Sequence, residues 1–236
     1  MKPLESPASW DDFFARYWRQ QPGLFESPDP LLSVPEAMAA IHLAGQDVLR
    51  ASRSANLRFY CDHERQTPTL VAGLFPQQDE LDPAQYVERV CRSMVGHKLG
   101  LVLNDVERYC EPFRERVRKL TEPVCSRVQE KLLIRTLVFL GNYDYTPFGI
   151  HRDHLDTFMM PLLNSKSLYI WPRDAFDGDD NLGIHDVAPY LNGAHRYDMQ
   201  PGETLFCPTG MWHIGHTTRP SLSLHVAFRN ADWKPD

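Results

Sequence analysis

Two hydrophobic periods divide the chain. Up to about residue 130 the apolar positions recur mostly at helical spacing, and from Leu132 onward they fall into short β-rich runs. Ser9 followed by Trp10, Asp11 and Asp12 reads as a helix start, with both carboxylates at the positive end of the helix dipole. Phe13, Phe14, Tyr17 and Trp18 then share one face, and Pro22-Gly23 is expected to stop the helix. A second helix is predicted over Val34–His42, with Pro35 in its first turn. A third is predicted over Asp82–Met94, with Tyr86, Val87, Val90 and Cys91 on one face. A fourth helical region follows Asp105, with breaks expected at Pro112 and Pro123. Leu57–Tyr60 and Leu99–Leu103 read as short strands between these helices.

Beyond Leu132 the runs LIRTLVFL, HRDHLDTFM, SLYIWP, ETLFCP and SLSLHVAF are separated by turn residues. Such spacing predicts a sandwich or barrel. The acidic stretch Arg173–Asn181 lacks the register and terminal Glu of a calcium loop and reads as a solvated connection. The expected fold class is mainly β with a helical N-terminal layer, a jelly-roll double sheet forming the core. One domain is expected over residues 1–236, with 1–130 as a mostly helical support and 131–230 as the core.

Composition narrows the function. Twenty-five basic residues against 31 acidic ones give a net charge of -6, which argues against a dedicated nucleic-acid binder. The longest apolar stretch, Leu132–Leu140, is short and contains Arg135, so no membrane span is expected. The polar, acidic N-terminus carries no visible targeting signal. Five scattered cysteines, odd in number and never spaced C-x-x-C, suit a reducing cytoplasm better than a disulfide framework. Exposed aromatics in the first helix offer a surface for a homodimer.

The chemistry concentrates in the second half, where seven of the ten histidines lie. In His151-Arg152-Asp153, residues i and i+2 of a strand project from the same face, so His151 and Asp153 can grip one ion. His213 is the candidate third ligand, with His216 as its competitor. Two imidazoles and one carboxylate on one side of an ion leave the opposite positions open, the arrangement of non-haem Fe(II) oxygenases. Lys166 follows a turn at Asn164-Ser165, and a hairpin there would return it beside the strand that bears the ligands. Inside a barrel its ammonium needs an anion, which a dicarboxylate chelating the iron through its other end would supply. The alternative is an ordinary solvent-exposed lysine.

These residues resemble a family. His151-Arg152-Asp153-His154-Leu155-Asp156-Thr157-Phe158, then Lys166, then Pro201-Gly202-Glu203-Thr204-Leu205-Phe206-x-Pro208-x-Gly210-x-Trp212-His213 are similar to the cupin-like JmjC group of Fe(II)/2-oxoglutarate-dependent oxygenases. The segment Asp12–Leu24 resembles the opening of that group. The resemblance covers about Asn142 to Phe228 closely and the first 140 residues loosely. It implies a double-stranded β-helix, iron held by His151, Asp153 and His213, and Lys166 on the distal carboxylate of 2-oxoglutarate. It also implies a hydroxyl near that carboxylate, for which Thr146 is the first candidate and Tyr143, Tyr145 and Thr157 are alternatives. The family register favours His213 over His216, and strand parity turns His154 away from the metal.

In the last strand Ser221, Ser223, His225 and Ala227 share one face and Leu222, Leu224, Val226 and Phe228 the other. The polar face either lines the barrel, which makes Ser223 and His225 co-substrate candidates, or is solvated. Arg152, Trp171, Trp212 and Asp144-Tyr145-Thr146 are rim candidates whose plainer role is packing. Cys207 is expected to fill the core.

The activity implied is hydroxylation of an amino-acid side chain, in a peptide or an amino-acid-derived small molecule, with release of succinate and CO2. The rivals are a metal cupin enzyme that does not use 2-oxoglutarate and a non-catalytic cupin-like binding module.

Overall fold

The computed structural model describes residues 9–27, 29–51 and 56–232. Most of the polar N-terminal segment read for targeting signals falls outside them. In chain order the elements are α1 (Trp10–Arg16), β1 (Gly23–Glu26), α2 (Val34–Ala51), β2 (Leu57–Cys61), β3 (Glu64–Gln66), α3 (Pro83–Ser93), β4 (Leu99–Asn104) and α4 (Glu111–Cys125). Then follow β5 (Leu132–Gly141), β6 (His151–Arg152), β7 (Asp156–Leu163), β8 (Lys166–Trp171), β9 (His195–Met199), β10 (Glu203–Cys207), β11 (Trp212–His216) and β12 (Ser221–Asn230).

The strands form two antiparallel sheets. The major one has the order β1-β10-β7-β12-β5-β4-β2-β3 and the minor one β6-β11-β8-β9. Together they make a jelly-roll sandwich whose inner faces enclose the site. The helices cover the outer face of the major sheet, where Leu222, Leu224, Val226 and Phe228 pack with Phe13, Met38, Ile41 and Tyr86. This fixes the parity of β12: its aliphatic side goes under the helices, and Ser223 and His225 are buried between the sheets.

Local chemistry explains most of the element ends. Ser9 caps α1 by accepting from the Asp12 N–H, and Asp82 caps α3 by accepting from Ala84 and Gln85. Each cap contributes about 1 kcal/mol. The first helix ends at Arg16, earlier than Pro22-Gly23 suggested, because the chain turns through Arg19 at φ 57°. Arg19 then pairs with Glu130 and, at 3.0 Å, with buried Asp156. The second helix runs on to Ala51, well past His42. Neither proline breaks α4: Pro112 sits in the first turn, where no N–H is needed, and Pro123 in the last.

In the mostly helical N-terminal region, β1, β2, β3 and β4 extend the same sheet as the C-terminal strands. Two further expectations are corrected. HRDHLDTFM is not one strand: it breaks after Arg152, sending β6 to the minor sheet and β7 to the major one. The turn at Asn164 (φ 56°) is a corner between sheets rather than a hairpin, so β8 pairs with β11 and β9 and not with β7. Of the N-terminal aromatics, Phe13, Tyr17 and Trp18 are buried in the chain's own core, and Trp10 and Phe14 pack against it partly exposed.

Candidate metal centre and co-substrate pocket

The strand register brings the distant histidines together. In the minor sheet β6 pairs with β11 so that His213 lies directly opposite His151 and Trp212 opposite Arg152. Cross-strand partners share a face, so both imidazoles point inward and their ring centroids are 4.3 Å apart. Asp153 is not on the strand with His151; it opens the turn beyond it. Its backbone carbonyl accepts from the Gly210 N–H at 2.9 Å, which ties that turn to the start of β11. One carboxylate oxygen of Asp153 lies 3.9 Å from His151 Nε2 and 3.7 Å from His213 Nε2.

Both rings are held by the other nitrogen. Nδ1 of His151 meets the Gly149 carbonyl at 3.0 Å, and Nδ1 of His213 meets the Met211 carbonyl at 3.0 Å. A carbonyl only accepts, so each Nδ1 carries the proton and each Nε2 presents a lone pair toward Asp153. Gly149 makes this possible: it adopts φ 77°, and a Cβ there would stand 2.5 Å from the Ile184 carbonyl oxygen. Burial, with the His151 ring beside it, holds His213 neutral by pushing its pKa down to about 4. Neutral imidazoles with one carboxylate suit a divalent cation, and the donor set fits iron.

Inward of this group lies a cavity between the sheets. It is lined by Lys166, Thr146 and Gly215 on one side and by Phe139, Thr157 and His225 on the other. Lys166 is 2% exposed. Its Nζ donates to Ser223 Oγ at 3.0 Å and sits 4.8 Å from the centre of the Phe139 ring. Ser223 Oγ in turn contacts His225 Nε2 at 3.3 Å. Burial alone drags the Lys166 pKa down to about 7, with no neighbouring carboxylate among the described residues to restore it. A buried ammonium without an anion costs several kcal/mol, so this wall is built for a negatively charged guest.

The sequence-predicted residues sort clearly. His151, Asp153 and His213 converge, and Lys166, Thr146, Thr157, Ser223 and His225 gather around one cavity. Thr146 accepts from the Gly215 N–H at 3.3 Å, while Ser223 is the hydroxyl that Lys166 contacts. His216 and Tyr145 turn to the opposite side of the minor sheet, with ring centroids 5.1 Å apart. His154 bonds Asp180 at 2.7 Å. Arg152 stacks over Trp212 and bonds Asp180 at 2.6 Å, a packing role. Trp171 packs in the same outer cluster, and Cys207 is buried in the core.

Gly215 and Phe139 were not foreseen. A Cβ on Gly215 would stand 2.9 Å from Thr146 Cγ2 and 3.2 Å from Lys166 Cε, so the strand makes room for the lysine. A glycine inside a strand is the available signal for such an approach. Phe139 sits in a run apolar on both faces, where parity cannot be read.

This architecture is the jelly roll of the cupin class. A family model for the JmjC domain matches residues 111–235, and the chain belongs to that family. Among solved structures it is similar to YcfD of Escherichia coli. The X-ray structure of that protein has 17% identity and a TM-score of 0.57, covering 100% of this chain and 55% of YcfD. Its complex as a ribosomal oxygenase with cobalt and succinic acid has 18% identity, a TM-score of 0.57 and coverages of 98% and 53%. The complex with cobalt and 2-oxoglutarate has 16% identity, a TM-score of 0.55 and coverages of 98% and 53%. The chain thus spans about half the length of YcfD. No curated protein matches the sequence. Among the described residues no helix is long and apolar enough to cross a membrane.

Proposed function

We propose that the chain is a single-domain Fe(II)- and 2-oxoglutarate-dependent oxygenase that hydroxylates an amino-acid side chain in a peptide or an amino-acid-derived small molecule. The observation that carries this reading is Lys166, buried beside a His/Asp/His group with no carboxylate partner among the described residues. His151, Asp153 and His213 hold the metal. Lys166, with Ser223 at its side, receives the distal carboxylate of 2-oxoglutarate. YcfD, a ribosomal oxygenase seen with cobalt and 2-oxoglutarate, supports the pairing of metal and co-substrate.

Iron bound there with 2-oxoglutarate would supply the oxidising chemistry with O2 as oxidant, one oxygen atom ending in succinate as CO2 leaves and the other in the hydroxylated C–H bond. The protein's part is positional. The Gly149 and Met211 carbonyls fix the two rings, so the ligand atoms face the ion before it arrives. Lys166 sets the direction from which the dicarboxylate enters. Phe139, Leu168 and Met159 line the cavity and keep water from the co-substrate. No side chain is needed as a general base.

Five free cysteines accord with a cytoplasmic setting. The test is succinate formation from 2-oxoglutarate with added Fe(II), across a panel of peptides and amino acids. Turnover that rises with one substrate is expected. Failure of 2-oxoglutarate to bind or be consumed contradicts the proposal and favours a metal cupin of another kind.

A further inference from the structure

We infer that the substrate brings an anionic group, a carboxylate or a phosphate, to the mouth of the metal cavity. The inference rests on the oxygenase reading for the chemistry at the metal, but its own observation lies elsewhere. The inner cavity opens into a cleft of about 770 Å³ whose wall carries Arg58, Arg65, Arg135 and Arg229. His151 and Asp153 line both spaces, whereas Lys166 and His213 line only the inner one. The metal group therefore separates two positive regions: a lysine at the floor and guanidinium groups at the mouth. A co-substrate carboxylate held at Lys166 leaves the outer region to something else.

The strand registers place these arginines together. Along the inward face of β12 the side chains run Ser223, His225, Ala227 and then Arg229; along β5 they run Phe139, Leu137 and then Arg135. Both rows begin at the Lys166 pocket and end in an arginine. Farther across the same sheet, β2 supplies Arg58, and β3 supplies Arg65 opposite Tyr60. Arg58 stacks over Phe148 at 5.6 Å and reaches the Asn104 side-chain oxygen at 3.5 Å, and its buried Nε has no hydrogen-bond partner among the described residues.

Nearby acids answer only part of this charge, and Arg58 and Arg65 are left without a carboxylate partner among the described residues. Asp180 is already engaged by Arg152 at 2.6 Å and His154 at 2.7 Å. Asp105 stands 3.5 Å from Arg135 Nε and answers that one arginine. Glu107 accepts from the Thr136 hydroxyl and keeps its charge, and Glu130 pairs with Arg19. Asp153 belongs to the metal group. A protein of net charge -6 thus concentrates guanidinium groups at the entrance to the His/Asp/His cavity. Concave, partly apolar walls focus such a field, and the guanidinium fork matches carboxylate and phosphate oxygens in pairs.

The experiment uses the Fe(II)-loaded full chain and fluorescence anisotropy with two labelled probes, an oligoglutamate and an oligolysine peptide. Unlabelled citrate and inorganic phosphate are added as competitors, to tell a free acid from a peptide-borne one. The oligoglutamate is expected to bind at least tenfold more tightly than the oligolysine. The double variant Arg58→Gln/Arg135→Gln is expected to lose at least tenfold of that affinity while 2-oxoglutarate binding stays within twofold. Arg65→Glu, on an exposed side chain, carries the same test should the double variant fail to fold. Equal or tighter binding of oligolysine, or unchanged oligoglutamate binding in the variants, overturns the inference. If 2-oxoglutarate does not bind but oligoglutamate does, the oxygenase reading fails and the anion-binding cleft stands.

Discussion

Lys166 on the minor sheet donates to Ser223 on the major sheet at 3.0 Å, so a hydroxyl stands where a buried ammonium ordinarily meets a carboxylate. The buried contact bridges the two halves of the sandwich. It satisfies one of the lysine's three N–H groups and none of its charge. In the proposed complex the co-substrate supplies the rest.

The first consequence is a trade between stability and function. Lys166→Met removes the buried charge at similar volume, so the ligand-free protein is expected to gain on the order of 1 kcal/mol or more. For a chain of this size that raises the Tm by roughly 2–4 °C per kcal/mol. The same variant loses 2-oxoglutarate binding. Thermal melting with and without 2-oxoglutarate reads both effects; a lower Tm for ligand-free Lys166→Met contradicts the account.

A pH dependence follows from the same residue. Its pKa falls from 10.5 in the unfolded chain to about 7 in the folded one. Between those values the unfolded state holds the extra proton, so the lysine's contribution makes the ligand-free protein more stable as pH rises from about 7 to 10. Binding a dicarboxylate restores the charged form, so 2-oxoglutarate binding near pH 8 takes up a proton. Calorimetry in buffers of different ionisation enthalpy measures that uptake; a binding heat that does not change with the buffer contradicts the account.

Ser223→Ala leaves the ammonium without its hydroxyl partner while the metal ligands stay in place. Loss of one such hydrogen bond is worth about 1 kcal/mol. That corresponds to a roughly fivefold rise in the KM for 2-oxoglutarate. Metal content of the purified variant should match wild type.

Gly215→Val tests the close approach of β11. Its side chain must displace Thr146 or the Lys166 stem, which stand 2.9 and 3.2 Å from where its Cβ begins. Metal binding is expected to persist while affinity for 2-oxoglutarate falls by at least tenfold. Equal affinity in the variant would show that the lysine is free to move aside.

Much of the site was legible because its chemistry is local. The alternation of Ser221, Ser223, His225 and Ala227 with aliphatic residues marked a separate face, without telling a barrel lining from a solvated surface, and the H-x-D unit gained weight only beside Lys166 and His213. What stayed hidden depended on pairing between distant segments. Asp153 reaches the histidines from a turn rather than from the strand face that i, i+2 parity suggested, because the chain leaves one sheet for the other after Arg152. The short strand Gly23–Glu26 gained its identity only by pairing with β10. Pro112 and Pro123 misled because a proline's cost depends on its place in the helix, which sequence locates poorly. The arginine cleft was invisible because its members come from four separate strands.

The central claim is that His151, Asp153 and His213 hold one metal on which all turnover depends. Its most direct test is succinate formation from 2-oxoglutarate by Asp153→Ala beside wild type, with Fe(II) added and folding checked by melting temperature. The account predicts no succinate above background from the variant. Succinate formed at the wild-type rate would contradict it.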